Sequence, residues 1–321
     1  MSDQKTIGVV IIGRNEGDRL LRCLASVENQ VDHVVYVDSG SSDGSQDAAL
    51  ATGAHVVALD MSKPFTAARA RNEGLARLLQ ERAATDYVQF IDGDCELQPD
   101  WISKARSFLN ENPDHAVVCG RRRERFPEAS VYNRLIDQEW DTPTGSAKAC
   151  GGDALMRVEA FQQVEGFDPN LIAGEEPELC VRLRQSGWLI WRLDAEMTLH
   201  DAALSKFSQW WKRNKRAGHA YAEGAALHGA PPERHGVHAT RSALFWGLGI
   251  PALALLGSFV SSWALLLFLA WPAQMLRLGL RSNDWAQAMF LTLGKLPEAQ
   301  GAVGYLWDRL RGKRGGLIEY K

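Results

Sequence analysis

Paired cysteines are the first thing missing. Cys23, Cys95, Cys119, Cys150 and Cys180 are scattered without a Cys-x-x-Cys spacing, which excludes a zinc ribbon and argues against a disulfide framework. They read as reduced thiols of a cytoplasmic protein. An excess of one charge is missing too: 36 Lys and Arg face 39 Asp and Glu, a net −3, so no global basic field points to nucleic acid. No internal repeat or low-complexity tract is visible. The apolar run Ile7 to Ile12 is too short for a leader core and meets Arg14-Asn15-Glu16 at once, so it reads as a first strand. What remains is an ordinary globular composition, 45% hydrophobic and 23% charged over 321 residues, with room for one large domain and an appendage.

From residue 6 to about 120 apolar strand patterns alternate with helical ones. Strands are expected at Ile7 to Ile12, His33 to Val37, His55 to Leu59, Tyr87 to Ile91 and Ala116 to Gly120. Helices are expected at Asp18 to Glu28, Ser45 to Thr52, Thr66 to Arg82 and Trp101 to Asn110. This spacing predicts an α/β fold with a mostly parallel sheet flanked by helices. Beyond it come a basic run, Arg121 to Arg125, the pair Gly151-Gly152, a helix at Pro177 to Ser186 and a strand at Trp188 to Leu193.

The last third has a different character. Ser242 to Leu280 carries almost no charge except Arg277 and is broken by Pro251, Gly257-Ser258, Ser261-Ser262 and Pro272. It is about twice the roughly 20 apolar residues of one membrane span. Both flanks are basic, with Lys212, Arg213, Lys215, Arg216, Arg234 and Arg241 before it, and Arg281, Arg309, Arg311, Lys313 and Arg314 after it. Positive flanks on both sides favour a two-helix or re-entrant hairpin with both ends cytoplasmic; a buried hairpin of a soluble domain is the plainer reading. Downstream, Trp285, Met289, Phe290, Leu293 and Leu296 suggest one face of an interfacial helix.

Chemistry concentrates at Asp92-Gly93-Asp94, which closes the apolar run from Tyr87 to Ile91. The C-terminal ends of strands are where open α/β sheets bind ligands, and paired carboxylates there suit Mg²⁺ or Mn²⁺. Four other stretches accompany the pair: Gly13 to Glu16 after strand one, Val37 to Gly44 after strand two, Ala68 to Gly74 opening a helix, and Gly174 to Arg184 with acids opening another. Asp38 can reach a ligand in the crevice or close an Asx turn, a role Asp43 fits better. Arg71 can bond a base or phosphate, or serve as a surface ion pair. Gly151-Gly152 reads as a tight turn with close backbone approach. Glu175 and Glu176 either take a proton or complement the helix dipole.

In this order and spacing the motifs resemble those of the inverting family 2 glycosyltransferases, over roughly residues 6 to 220. The resemblance implies the GT-A fold and a nucleotide-diphosphate sugar donor, with a UDP-sugar the usual case. It implies that Asp38, Arg14, Glu16, Arg71 and Asn72 line the nucleotide pocket, that Asp92 serves the ribose side and that Asp94 holds Mg²⁺ or Mn²⁺. His200 would complete the metal shell, and Gly152 and Asp153 would lie against the donor sugar. The family's usual Glu-Asp pair, whose second acid is the base, is here Glu175-Glu176, which makes Glu176 the expected catalytic base. Two departures stand out: Ser39 replaces the second acid after Asp38, and Gln209-Trp210-Trp211-Lys212-Arg213 has the wrong order for the Gln-x-x-Arg-Trp motif of processive relatives.

The resulting expectation is a metal-dependent transfer of one sugar at the cytoplasmic face of the inner membrane. The membrane segment points to a lipid-linked saccharide acceptor, as in surface polysaccharide assembly. The organisation expected is a catalytic domain at 1–220 and a helical region at 221–321 with an apolar hairpin near 242–280. Two rivals stay open. One is a nucleotide-sugar-binding membrane scaffold without turnover; the other is a sugar-nucleotide nucleotidyltransferase, for which Gly13 to Glu16 is poor in glycine. A Rossmann dehydrogenase needs Gly-x-Gly-x-x-Gly here, and that is absent. The run Arg121 to Arg125 would meet pyrophosphate or lipid headgroups, or simply be a solvated charge run.

Overall fold

The structure, a computed structural model, describes residues 5–28, 30, 31, 33–313, 316 and 318. Arg314 of the basic flank lies outside the described residues. The chain divides into two compact units: residues 1–129, 136–171 and 175–203 form the first, and 130–135, 172–174 and 204–321 the second. The boundary expected at 220 instead falls inside a helix, Phe207–His228, because that helix runs unbroken through a stretch with no Pro and no turn signal.

The first unit is built on one sheet whose strands are β1 (Ile7–Gly13), β2 (His33–Asp38), β3 (His55–Ala58), β4 (Tyr87–Asp92), β5 (Cys95–Leu97), β6 (His115–Glu124), β7 (Gly145–Ser146), β8 (Ala154–Arg157) and β9 (Leu189–His200). Their order is β3-β2-β1-β4-β8-β6-β9-β5, with β7 paired to β9. The half β3-β2-β1-β4 is parallel. In the other half β8 runs antiparallel to both neighbours, while β6 and β9 are parallel. The chain moves from β1 outward to β3 and then returns to β4 on the other side of β1. That reversal opens a crevice at the strands' C-terminal ends, where Ile12 is in register with Asp92.

The helices flanking this sheet begin with α1 (Asp18–Val27), α2 (Ser45–Ala51) and α3 (Ala67–Glu81). The buried residues of α1, Leu20, Cys23, Leu24 and Val27, recur at the helical period and make an amphipathic stripe. The Thr66 side chain caps α3 by accepting from the Arg69 amide at 3.1 Å, one of the first-turn donors that otherwise lack a partner. Mid-helix, Gly74 lets α3 press onto the sheet: a Cβ there would lie 2.4 Å from Val10 Cγ1. The close approach carries Arg71, one turn earlier, over the crevice. After α4 (Trp101–Glu111), α5 (Val131–Glu139) and α6 (Val158–Gln163) comes α7 (Glu175–Gln185), two residues earlier than the sequence suggests, so Glu175 and Glu176 lie in its first turn.

Three short strands, β5, β7 and β8, were not legible in the pattern, since stretches of two to four residues carry too little periodicity. β9 was expected to end at Leu193 but continues to His200.

In the second unit, α8 (Phe207–His228) is followed by two long apolar helices, Val237–Ser258 and Ser262–Ser282, joined at residues 259–261. The first contains a π-helical turn at Phe245–Gly249 and the second opens with a 3-10 stretch, Ser262–Leu269. They are 22 and 21 residues long, and only 17% and 6% of their apolar windows are buried. Phe259, Val260 and Trp263 are 88%, 92% and 76% exposed, so the hairpin is not the buried core of a soluble domain. At about 1.5 Å per residue each helix reaches about 30 Å, the thickness of a bilayer's hydrocarbon core. Downstream, Trp285 and Met289 are exposed as an interfacial face requires. Phe290 departs from that face: it packs on Trp210 and Tyr132 with ring centroids 5.1 and 5.4 Å apart.

Candidate active site

At the centre of the crevice is one buried guanidinium. Arg71, 2% exposed, bonds Asp92 Oδ1 from Nη2 at 2.8 Å and reaches Glu176 Oε1 and Glu175 Oε1 from Nη1 at 2.8 and 3.0 Å. Residues far apart in the chain are thereby joined. Burial alone would lower the Arg71 pKa, but Glu176, Asp92 and Glu175 outweigh it and hold the group charged. Gly152 borders the same cluster. A Cβ on it would stand 2.7 Å from Arg71 Nη2, 2.9 Å from Asp92 Oδ2 and 3.2 Å from Glu176 Oε1, so only glycine leaves these groups where they are.

Of the two glutamates, Glu175 is the more enclosed, with 4% of its side chain exposed against 14% for Glu176. Burial, then repulsion from Glu175, raises the Glu176 pKa to about 7 in spite of Arg71. A carboxylate poised there accepts a proton near neutral pH without giving up ionisation altogether. Pairing with Arg71 does more than complement the helix dipole.

The second pair predicted from sequence also meets. Cys95 is in register with His200 across the antiparallel β5–β9 ladder, which sets His200 Nε2 3.3 Å from Asp94 Oδ2. The other ring nitrogen, Nδ1, is 3.3 Å from Glu124 Oε2, and Glu124 also accepts from the Ala202 amide at 3.0 Å. A carboxylate behind an imidazole fixes ring and tautomer in metal sites. Burial, then the charge of Arg122, pushes the His200 pKa below its usual value, with Glu124 opposing, so the ring is neutral and able to ligate. The nearby Cys95 thiol is raised well above its usual value by burial and stays protonated.

These residues fit a divalent cation by donor type. Asp94 offers a carboxylate oxygen and the neutral His200 an imidazole nitrogen 3.3 Å from it, donors that a divalent first-row cation accepts.

Other predicted residues occupy different places. Asp38 ends β2 as expected, yet it is fully buried and accepts from Tyr36 Oη, the Gly40 and Ser41 amides and Gln46 Nε2 at 2.8–3.0 Å. That is Asx-turn geometry, and the carboxylate orders the loop after β2. Burial opposes ionisation, but these donors hold its pKa below the usual value. The Asn72 amide clamps the Phe167 backbone with both of its ends, at 2.7 and 3.0 Å. Asp153, expected against the donor sugar, is fully buried, with Oδ1 accepting the Asp92 amide at 3.0 Å and Oδ2 accepting Thr198 Oγ1 at 2.7 Å. It supports Asp92 from behind. Arg14 is exposed and stacks over Phe65 at 5.0 Å. Glu16 bonds Arg19 at 2.8 Å and lies along Gly93, whose Cβ would be 3.4 Å from Glu16 Cγ.

The sequence reading placed Arg122 and Glu124 only within a run expected to meet pyrophosphate, lipid headgroups or solvent, and it missed Trp140. Arg122 reaches Asp92 Oδ2 at 3.2 Å and lies over the Trp140 ring at 4.7 Å, so this member of the basic run is not a solvated one. No clean alternation marks that run: Arg121 and Glu124 are buried, Arg122 is half-buried and Arg123 is exposed.

Comparison with known proteins agrees with this geometry. A family model, glycosyl transferase family 2, matches residues 8–164. The chain is 33% identical over 129 residues to a TPR repeat-containing protein of Synechococcus elongatus, covering 40% of this chain and 30% of that one. It is 31% identical over 191 residues to the succinoglycan biosynthesis protein ExoA of Rhizobium meliloti, covering 56% and 57%. The chain thus spans less than two thirds of the length of either relative. Among solved structures, the mannosyltransferase PcManGT from Pyrobaculum calidifontis, in complex with GDP-Man and Mn²⁺, superposes with a TM-score of 0.64 at 18% identity, over 96% of this chain and 89% of that one. That likeness is one of fold, and the fold is GT-A. With β2 to β8, Arg71, Asp92 and Asp94 inside the matched span, residues 8–164 form a domain that matches glycosyl transferase family 2.

Proposed function

We propose that this protein is an inverting glycosyltransferase that moves one sugar from a nucleoside-diphosphate sugar to an acceptor hydroxyl. The observation that carries the reading is Glu176, a carboxylate raised to about 7, held 2.8 Å from Arg71 at the crevice where the sheet order reverses. Glu176 takes the proton of the acceptor hydroxyl, whose oxygen attacks the anomeric carbon. The bond from that carbon to the diphosphate breaks, and its electron pair leaves with the nucleoside diphosphate. Arg71 positions the Glu176 carboxylate and, with Asp92, orders the floor of the site. Asp94 and His200, supported by Glu124, are the residues that would hold a divalent cation, and its imidazole ligand favours Mn²⁺ over Mg²⁺. When bound, such an ion neutralises charge on the departing diphosphate.

A UDP-sugar is the donor to test first, and GDP-mannose the second because PcManGT was solved with it. The exposed hairpin Val237–Ser258 and Ser262–Ser282, with basic residues on both flanks, supports attachment at the cytoplasmic face of a membrane. A lipid-linked saccharide is then the natural acceptor, as in surface polysaccharide assembly, a reading the likeness to ExoA supports.

The test is release of nucleoside diphosphate from a panel of UDP- and GDP-sugars with Mn²⁺ and membrane lipid extract, run beside Glu176→Gln and Asp94→Asn. Release with one donor, lost in both variants, is expected. Donor binding without release under every condition would favour a non-catalytic scaffold instead.

A further inference from the structure

Arg71 and Arg122 both reach Asp92, and their contacts differ in length and exposure. Arg71 is locked by three carboxylates at 2.8–3.0 Å and is 2% exposed. Arg122 has 13% of its side chain exposed and longer contacts: Nη2 is 3.2 Å from Asp92 Oδ2 and 3.2 Å from Cys95 Sγ, and Nε is 3.6 Å from Asp153 Oδ2. Nε donates no hydrogen bond among the described residues. The guanidinium carbon lies 4.7 Å from the centre of the Trp140 ring, which meets His200 edge-on at 4.8 Å. Stacking of this kind holds a guanidinium near one plane while leaving its in-plane position soft.

We propose that Arg122 is a displaceable counter-cation that binds Asp92 in the donor-free site and transfers to the donor's diphosphate when that group arrives. The inference rests on the nucleoside-diphosphate sugar reading and assigns a ligand class to a residue of the same site. Its basis is charge. Without ligand, the guanidinium offsets charge on Asp92 and Asp153. A diphosphate entering with a divalent ion removes that need and presents anionic oxygens that a guanidinium fork can also take bidentately. Trp140 gives the head a surface along which to move between the two anions. The arrangement makes the site a poor trap for a bare divalent cation and a good one for the cation and nucleotide together.

The test is calorimetric titration of the full chain in detergent with Mn²⁺ alone, then with UDP and with GDP in the presence of Mn²⁺. Wild type is compared with Arg122→Gln and Arg122→Lys. Removing the charge should tighten binding of Mn²⁺ alone by about tenfold and weaken nucleotide binding by about tenfold or more. Arg122→Lys should keep the wild-type response to Mn²⁺ alone and lose part of the nucleotide affinity, because an ammonium lacks the fork. Opposite shifts are the signature, since a merely structural role would weaken both together. Parallel losses, or no change in either titration, overturn the proposal while leaving the donor-site reading intact. Should Arg122→Gln fail to fold, an unchanged nucleotide affinity in Arg122→Lys overturns it by itself. If wild-type protein binds neither nucleotide, both the site reading and this proposal fall.

Discussion

Replacing Glu176 with glutamine should abolish transfer and make the ligand-free protein more stable at alkaline pH. The carboxyl is raised from an ordinary 4.5 to about 7, by burial first and by Glu175 next. A group whose folded pKa lies above its unfolded value stabilises the fold only while protonated. Its contribution is fully present below about 4.5 and is lost as pH rises through about 7. At about 1.4 kcal/mol per pKa unit, keeping Glu176 ionised costs about 3 kcal/mol at pH 8.5. Glutamine mimics the neutral acid, keeps the shape and can still accept from Arg71. The variant should therefore gain up to about 3 kcal/mol over wild type at pH 8.5, and the gap should narrow to about 1 kcal/mol at pH 5. Urea unfolding of both proteins at the two pH values measures this. Sugar transfer followed in parallel should fall by about 10²–10⁴, the usual contribution of a general base. A variant less stable than wild type at pH 8.5 would refute the charge argument, and one that still transfers sugar would refute the role.

The same carboxyl predicts that wild-type kcat/KM rises with pH through about 7 and then levels; a profile flat from pH 5.5 to 8.5 would point to another base. Glu124→Gln, which leaves His200 Nδ1 without its carboxylate, should weaken Mn²⁺ binding by about 10–100-fold, read by Mn²⁺ electron paramagnetic resonance. Gly152→Ala should displace Arg71 and Asp92, since its Cβ would lie under 3.0 Å from both. Transfer should drop by about tenfold or more for a misplacement of that size, which steady-state rates would show. Changing Leu255, Leu256, Phe259 and Val260 together to serine, at positions 55–92% exposed, should shift the protein from the membrane fraction toward the soluble one on centrifugation.

Local periodicity and motif order were enough to read much of this molecule. The strands β1 and β4 declare themselves because each is buried on both faces and so largely apolar, and the end of β4 then puts Asp92 and Asp94 at the crevice. Glu176 was legible from its place at a helix start, and the apolar hairpin from its length and lack of charge. The strands that complete the site were not, because their meaning is relational. His200 reaches Asp94 only through the β5–β9 ladder, and Glu124 reaches His200 only because β6 runs parallel beside β9. Burial separated carboxylates that look alike in one dimension: Asp153 and Asp38 are fully enclosed and hydrogen-bonded, whereas Glu176 retains access to solvent. The sequence by itself determined which residue types stand at strand ends and helix starts, since those follow from interactions within a few residues. Only the tertiary structure decided which charges share a space, because pairing, burial and the pKa of Glu176 depend on groups that the chain brings together from more than a hundred residues apart.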